Sequence, residues 1–132
     1  MSRKTALIID DEEASRFLIR QYLADYPEIT IAGECRNGLE AVRDINALQP
    51  DLVFLDIQMP AMNGFRVLEE ITHIPLIIFT TAYDQFALQA FEMNALDYLL
   101  KPYTRERFSK AMERIDRSGH SQNLHFLADA QT

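Results

Sequence analysis

The sequence predicts an α/β domain: an open, five-stranded parallel sheet wound on both faces by helices. Three observations predict it. Ala6-Leu7-Ile8-Ile9, Leu52-Val53-Phe54-Leu55 and Leu76-Ile77-Ile78-Phe79 are short runs without a polar residue, the pattern of strands covered on both faces. Segments with helical spacing of apolar residues lie between them. Polar residues follow each run, as they do where the carboxyl ends of parallel strands meet a ligand.

The elements follow in order. After the first strand, Ala14, Phe17, Leu18 and Tyr22 share one helical face, the stripe expected to pack on the sheet. Ile29-Thr30-Ile31-Ala32 alternates, as an edge strand with one wetter face does. Leu39, Val42 and Ile45 mark the second helix. The third strand leads to Asn63-Gly64 and a short helix through about Thr72, ending before Pro75. After the fourth strand, Asp84 is placed to cap a helix through Met93, with Asn94 suited to a left-handed stop. Tyr98-Leu99-Leu100 is the fifth strand. Thr104 then caps a helix on which Phe108, Ala111, Met112 and Ile115 follow i, i+3, i+4, i+7. Five βα units with right-handed crossovers give the flavodoxin-like (βα)5 arrangement, strand order 2-1-3-4-5. The domain is expected over residues 1–117. Residues 118–132, "SGHSQNLHFLADAQT", turn polar and small and read either as a linker to an output domain absent from this chain or as a loosely held tail, with Leu124, Phe126 and Leu127 able to dock.

Bulk properties narrow the function. The 132 residues, 48% hydrophobic and 25% charged, suit one globular domain. No apolar run approaches the roughly 20 residues that span a bilayer, and the four-residue apolar stretch in "MSRKTALIIDDEE" runs into acids, so it is no signal peptide. The single cysteine, Cys35, leaves no internal disulfide and fits a reducing, cytoplasmic compartment as a plain strand or loop thiol. A net charge of -7 argues against this chain alone gripping nucleic acid. His73, His120 and His125 show no metal-ligand spacing and read as surface residues.

The strand ends carry the chemistry. The first strand runs into Asp10-Asp11, the third into Asp56, the fourth into Thr80-Thr81 and the fifth into Lys101. First and third strands are neighbours in the expected order, about 4.8 Å apart, so Asp10, Asp11 and Asp56 converge. Three carboxylates that close repel unless a cation compensates, and an all-oxygen pocket suits Mg2+. Asp56, alone at its strand end, is the candidate nucleophile toward a phosphoryl group; Lys101 would pair with a phosphoryl oxygen and Thr81 donate to another. Each residue also has a plain reading. Asp10-Asp11 ahead of Glu12-Glu13 complements a helix dipole, Asp56 serves a turn, Thr81 is a loop hydroxyl, and Lys101 before Pro102 is a solvated lysine. The plain readings are independent, whereas phosphoryl chemistry needs all four together, and all four are present.

"IIDDEE", "VFLDIQMPAMNG", "FTTAYD" and "YLLKP" occur in the order and spacing that resemble the receiver domain of two-component response regulators, over about residues 4 to 117. "TTAYDQFALQAFEMNALDYLLKP" is similar more particularly to receivers of the LytTR (LytR/AlgR-type) family. The resemblance implies that Asp56 is the phosphoacceptor of a sensor histidine kinase. It implies that Asp11 binds Mg2+ directly, Asp10 through water, and the Gln58 carbonyl completes the ligands beside Asp56. It implies that Lys101 contacts the phosphoryl group, that the Lys101-Pro102 bond is cis, and that Met59-Pro60 and Gly64 shape the turn after the acceptor. On phosphorylation Thr81 moves inward and Tyr98 turns from exposed to buried. The readout is then the face of the fourth helix, fifth strand and fifth helix, including Phe86 as an exposed aromatic, Ala87, Ala90, Tyr98 and the helix of Phe108, a face expected to form a homodimer. Gln58 and Tyr83 occupy the positions that tune phosphate lifetime, and a bulky Tyr83 implies slow self-hydrolysis. The chain is expected to be no turnover enzyme, only a phosphoacceptor with slow self-catalysed phosphorylation and dephosphorylation. Its output is expected to be transcription control through a LytTR-type DNA-binding domain, or, alternatively, protein contacts of a stand-alone or degenerate receiver. A haloacid-dehalogenase-type phosphatase would carry a second Asp where Gln58 stands, and a dinucleotide-binding enzyme a Gly-rich loop where "DDEEAS" stands.

Overall fold

In the computed structural model, which describes residues 3–117, strands and helices alternate as the sequence predicts. Strands β1 (Lys4–Ile9), β2 (Ile29–Cys35), β3 (Leu52–Asp56), β4 (Leu76–Thr81) and β5 (Asp97–Leu100) alternate with helices α1 (Glu13–Leu23), α2 (Gly38–Leu48), α3 (Gly64–Glu70), α4 (Ala87–Glu92) and α5 (Arg105–Glu113), and a 3₁₀ turn, Arg114–Arg117, follows. The strand order is β2-β1-β3-β4-β5, with β1 parallel to β2 and β3, and β4 parallel to β5. The chain packs as two units, one running to Pro75 and the other starting at Leu76.

In the first unit, Ala6 through Ile9 and Leu52 through Leu55 are fully buried, which is why their runs tolerate no polar residue. Ala6 pairs with Leu52 and Ile9 with Leu55, so the two strands end level. β2 alternates half-buried and exposed residues over its first four positions, the wetter edge strand predicted. Its register slips between Ala6, paired with Ile31, and Leu7, paired with Gly33, leaving Ala32 as the extra residue of a bulge.

Two helical faces differ from the sequence reading. On α1 the buried residues are Arg16, Ile19 and Leu23, while Ala14 is exposed, Phe17 is 49% exposed, and Leu18 and Tyr22 are only half-buried. The helix is turned because the Arg16 guanidinium is drawn inward to the Asp10 carbonyl oxygen, 2.8 Å away, and the exposed Phe17 ring lies under Arg20. On α2 the buried residues are Gly38, Ala41 and Ile45; Val42 is half-buried and Leu39 points to solvent. A Cβ on Gly38 would lie 2.6 Å from the Met62 Cβ. Smallness, not bulk, therefore selects the inner face of α2. Asn63 caps α3 by accepting the Arg66 N–H at 2.9 Å, and the helix stops at Glu70, short of Thr72.

In the second unit, Ile78 pairs with Asp97 and Thr81 with Leu100. Helix α4 starts later than expected. Asp84 does not cap it; the Asp84 carbonyl accepts the Ala87 N–H in a turn, and Phe86 takes the cap position without a side-chain bond. Asn94 adopts the expected left-handed conformation, φ 63°. Thr104 Oγ1 accepts the Arg107 N–H at 3.0 Å, the predicted cap of α5. Phe108, Ala111, Met112 and Ile115 are all buried, Ile115 in the 3₁₀ turn rather than the helix. Among the described residues no helix is long and apolar enough to cross a membrane. Leu124, Phe126, Leu127, His120 and His125 lie outside the described residues.

Candidate functional site

Because β1 and β3 end level, the residues just past their ladder come together. Asp10 is fully buried, Asp56 is 5% exposed and Asp11 faces solvent. One carboxylate oxygen from each lies within 4.8 Å of the other two. Asp10 is fixed at its amide and its side chain: its N–H donates to the Cys35 carbonyl at 3.0 Å, and its Oδ1 accepts the Glu12 N–H at 3.0 Å. The plain reading of this acid pair is thus true in part, since Asp10 does organise the approach to α1. The remaining carboxylate oxygens form a donor set of oxygen alone, with two of the acids buried and the third open to solvent. That is the chemistry of a site for a hard divalent cation, which offsets the mutual repulsion of the acids.

The segment after Asp56 turns at once. The Gln58 N–H donates to Asp56 Oδ1 at 3.3 Å, while the Gln58 side chain is exposed and Met59 is buried. The Gly64 N–H returns to the Ile57 carbonyl at 2.9 Å. A Cβ on Gly64 would stand 2.6 Å from the Asp56 carbonyl oxygen, so only glycine lets the start of α3 approach the end of β3 this closely.

In the second unit, Thr81 is fully buried at the end of β4, and Lys101 follows β5. The Lys101 N–H donates to the Thr81 carbonyl at 2.7 Å, and Thr81 Oγ1 accepts the Tyr83 N–H at 3.3 Å. The Lys101-Pro102 bond is cis, as expected. Tyr98 is 1% exposed; its hydroxyl donates to the Tyr83 carbonyl and its ring tilts against Phe79. Burial pushes its phenol up to about 12. The outward face differs from expectation. Phe86 is only half-buried and packs edge-on against Tyr83, and Ala90 and Phe108 are buried. Among the described residues of this unit, the large apolar side chains that are exposed are Leu88, at 61%, and Tyr83, at 46%.

The structure thus brings together Asp10, Asp11, Asp56 and the Gln58 backbone in one unit, and Thr81, Lys101 and Tyr98 in the other. Sequence reasoning missed Arg16, buried at 7% exposure with its guanidinium on the Asp10 carbonyl. Its signal was available: it precedes Ile19 by three and Leu23 by seven, at the spacing of a core hydrophobe. Cys35 is the inert thiol expected. It donates to Asp44 Oδ2 at 3.3 Å, and burial, reinforced by Asp44, pushes it up to about 12. His73 is half-buried rather than a free surface residue, with Nε2 2.6 Å from the Pro50 carbonyl oxygen.

Residues 6–113 match the sequence profile of the family described as the response regulator receiver domain. The chain is 47% identical over 113 residues to an uncharacterized response regulatory protein of Vibrio cholerae, covering 84% of this chain and 48% of that one. It is 40% identical over 127 residues to the transcriptional regulatory protein BtsR of Salmonella typhi, covering 95% and 53% respectively. The chain therefore spans about half the length of these curated relatives. Among solved structures it is similar to the response regulatory domain of protein mrkE from Klebsiella pneumoniae, with TM-score 0.79 and 27% identity over 86% of this chain and 96% of that one. The REC domain of AraT, a response regulator from Geobacillus stearothermophilus, gives TM-score 0.75 and 28% identity over 86% and 94%.

Proposed function

The chain belongs to the response regulator receiver domain family, and from that premise we propose that Asp56 accepts a phosphoryl group from a sensor histidine kinase. The observation that carries the reading is the meeting of Asp10, Asp11 and Asp56 oxygens within 4.8 Å at the level ends of β1 and β3. An Asp56 carboxylate oxygen forms the new bond to phosphorus as the phosphorus–nitrogen bond to the kinase histidine breaks, and the imidazole leaves with the bonding pair. Asp11, Asp56 and the Gln58 carbonyl hold Mg2+, with Asp10 acting through water. When bound, the ion offsets charge on the phosphoryl oxygens. Lys101 pairs with one of those oxygens and Thr81 donates to another. Their support is the placement of both residues at neighbouring strand ends, bridged by the Lys101 N–H to Thr81 carbonyl bond.

The new charge is read through Thr81 and Tyr98. The support for a two-position tyrosine is that Tyr98 is buried with its hydroxyl on the Tyr83 carbonyl, the arrangement the inner position requires. Exposed Leu88 and Tyr83 support a homodimer through the α4-β5-α5 face, and Tyr83 also sets a slow loss of phosphate. Residues 1–117 are the receiver, and the segment from 118 onward joins it to an output domain of the LytTR type that binds DNA. The support for that output is the relative BtsR, whose name is transcriptional regulatory protein and of whose length this chain covers 53%. The domain works in the cytoplasm and turns over no external substrate beyond its own phosphorylation and dephosphorylation.

The test is intact-protein mass after incubation with Mg2+ and a small acyl phosphate. One added phosphoryl group, absent from Asp56→Asn, is the expected result. Folded protein that gains no mass, or an Asp56→Asn variant that gains it equally, overturns the reading.

A further inference from the structure

We propose that Arg16 is a positioning residue for the acid cluster: aimed by Glu34 on β2, its guanidinium grips the main-chain carbonyl of Asp10 and fixes the turn that presents Asp10 and Asp11 to the cation. The inference rests on the Mg2+ reading above. Asp10 lies one residue beyond the ladder of β1 with β3, whose last pair is Ile9 with Leu55. Its N–H bonds the Cys35 carbonyl at the end of β2, and the residue is fully buried, where a polar main-chain group is held by protein donors and acceptors rather than by water. For the Asp10 carbonyl, Arg16 NH1 supplies a donor at 2.8 Å.

The guanidinium is itself locked. Its Nε donates to Glu34 Oε1 at 3.1 Å and its NH2 to Glu13 Oε1 at 2.5 Å. Arg20 joins the same two acids, with NH1 at 2.6 Å from Glu34 Oε1 and NH2 at 2.8 Å from Glu13 Oε2. Two arginines and two glutamates alternate in a closed ring whose formal charge sums to zero. Such a ring adds little net field at the cluster, so its effect on a cation is geometric rather than coulombic. It ties the edge strand, through Glu34 opposite Ile8, to the first turn of α1, and the one member of the ring that bonds the Asp10 carbonyl is Arg16. Arg20 has the same charge and the same acid partners; its side-chain bonds run to Glu34 and Glu13. The two arginines thus form an internal control.

The experiment titrates Mg2+ calorimetrically into the full chain and into Arg16→Met, Arg16→Lys, Glu34→Gln and Arg20→Met, with urea unfolding in the absence of Mg2+ as the measure of stability. Arg16→Met is expected to weaken Mg2+ binding about tenfold, the range for losing an outer partner of a metal ligand. Arg16→Lys, which keeps a donor for the carbonyl but not the fork, falls between it and the parent. Arg20→Met is expected to lower the urea midpoint while changing Mg2+ affinity by no more than about twofold, because no metal ligand loses a partner. Should Arg16→Met not fold, Glu34→Gln, which leaves the arginine unaimed, carries the same expectation at reduced size. Arg16 or Glu34 variants that bind Mg2+ as tightly as the parent overturn the proposal, as does an Arg20→Met variant that weakens binding equally. A parent chain that takes up no Mg2+ overturns the metal reading itself and this inference with it.

Discussion

Arg107 closes a two-pronged ion pair on Asp97, NH1 at 3.0 Å from Oδ2 and NH2 at 2.7 Å from Oδ1. Arg114 reaches Oδ2 at 2.6 Å from the following 3₁₀ turn, and the Tyr98 N–H adds a bond to Oδ1. One fully buried carboxylate therefore ties the start of β5, next to the proposed switch tyrosine, to two turns of the C-terminal helical segment. Removing it leaves two guanidinium groups facing each other across a site with little water. Asp97→Ala is expected to destabilise the domain by about 3–5 kcal/mol, the cost of breaking a buried pair from one side, read as a lower urea midpoint. A loss under about 1 kcal/mol would mean that the arginines swing out to solvent at little expense, as surface pairs do.

Stability is expected to fall on the alkaline side. The Cys35 thiol is raised by burial from 9.0 to about 12 and the Tyr98 phenol by burial from 10.0 to about 12. In both cases the unfolded chain loses its proton first as pH rises. Their contribution is whole below pH 9, shrinks as pH climbs through the unfolded values, and is gone above about 12. The urea midpoint should therefore decline between pH 8.5 and 11 more steeply than in Cys35→Ala combined with Tyr98→Phe. Equal slopes in the two proteins would place the alkaline sensitivity elsewhere.

Thr80 carries a hydroxyl that is fully buried and without a hydrogen-bond partner among the described residues. Its neighbour Thr81 is used; Thr80 Oγ1 only bears the cost of leaving water. Thr80→Val keeps the branched shape and removes the polar atom, so a gain of about 1 kcal/mol is expected. A midpoint that drops instead would reveal that the hydroxyl is satisfied in solution.

The strands were legible because a strand covered on both faces leaves an unbroken apolar run, and the acid cluster because Asp10 and Asp56 stand at the ends of two such runs. What the sequence hid was set by contacts between elements. The inner face of α2 is marked by Gly38, which leaves room for Met62, and by the small, buried Ala41, whereas a reading by bulk chooses Leu39. Arg16 resembles a surface charge until the Asp10 carbonyl and Glu34 are placed around it. Asp97 and Arg107 are ten residues apart on different elements, so no local periodicity joins them. The proposed switch roles of Thr81 and Tyr98 come from motif resemblance alone, since no periodicity or spacing marks either residue; the burial of Tyr98 is a matter of packing.

Gly64 offers the sharpest link between backbone packing and chemistry. Its Cα approaches β3 so closely that an added methyl would stand 2.6 Å from the Asp56 carbonyl oxygen and 3.2 Å from both the Ile57 Cα and the Leu55 Cγ. The nearest obstacle is backbone, as is one of the two at 3.2 Å, so relief requires β3 or the start of α3 to move, and such overpacking costs about 1–3 kcal/mol. Movement on the β3 side carries Asp56 with it, away from Asp10 and Asp11. Gly64→Ala is therefore expected to slow phosphorylation by a small acyl phosphate by about tenfold or more, since misplacing a reacting group by an ångström can cost up to about a hundredfold. The mass assay that follows Asp56 phosphorylation measures the rate, and urea unfolding measures the stability. If the rate is unchanged while the midpoint falls, the strain is absorbed by α3, and the turn after Asp56 serves the fold rather than the chemistry.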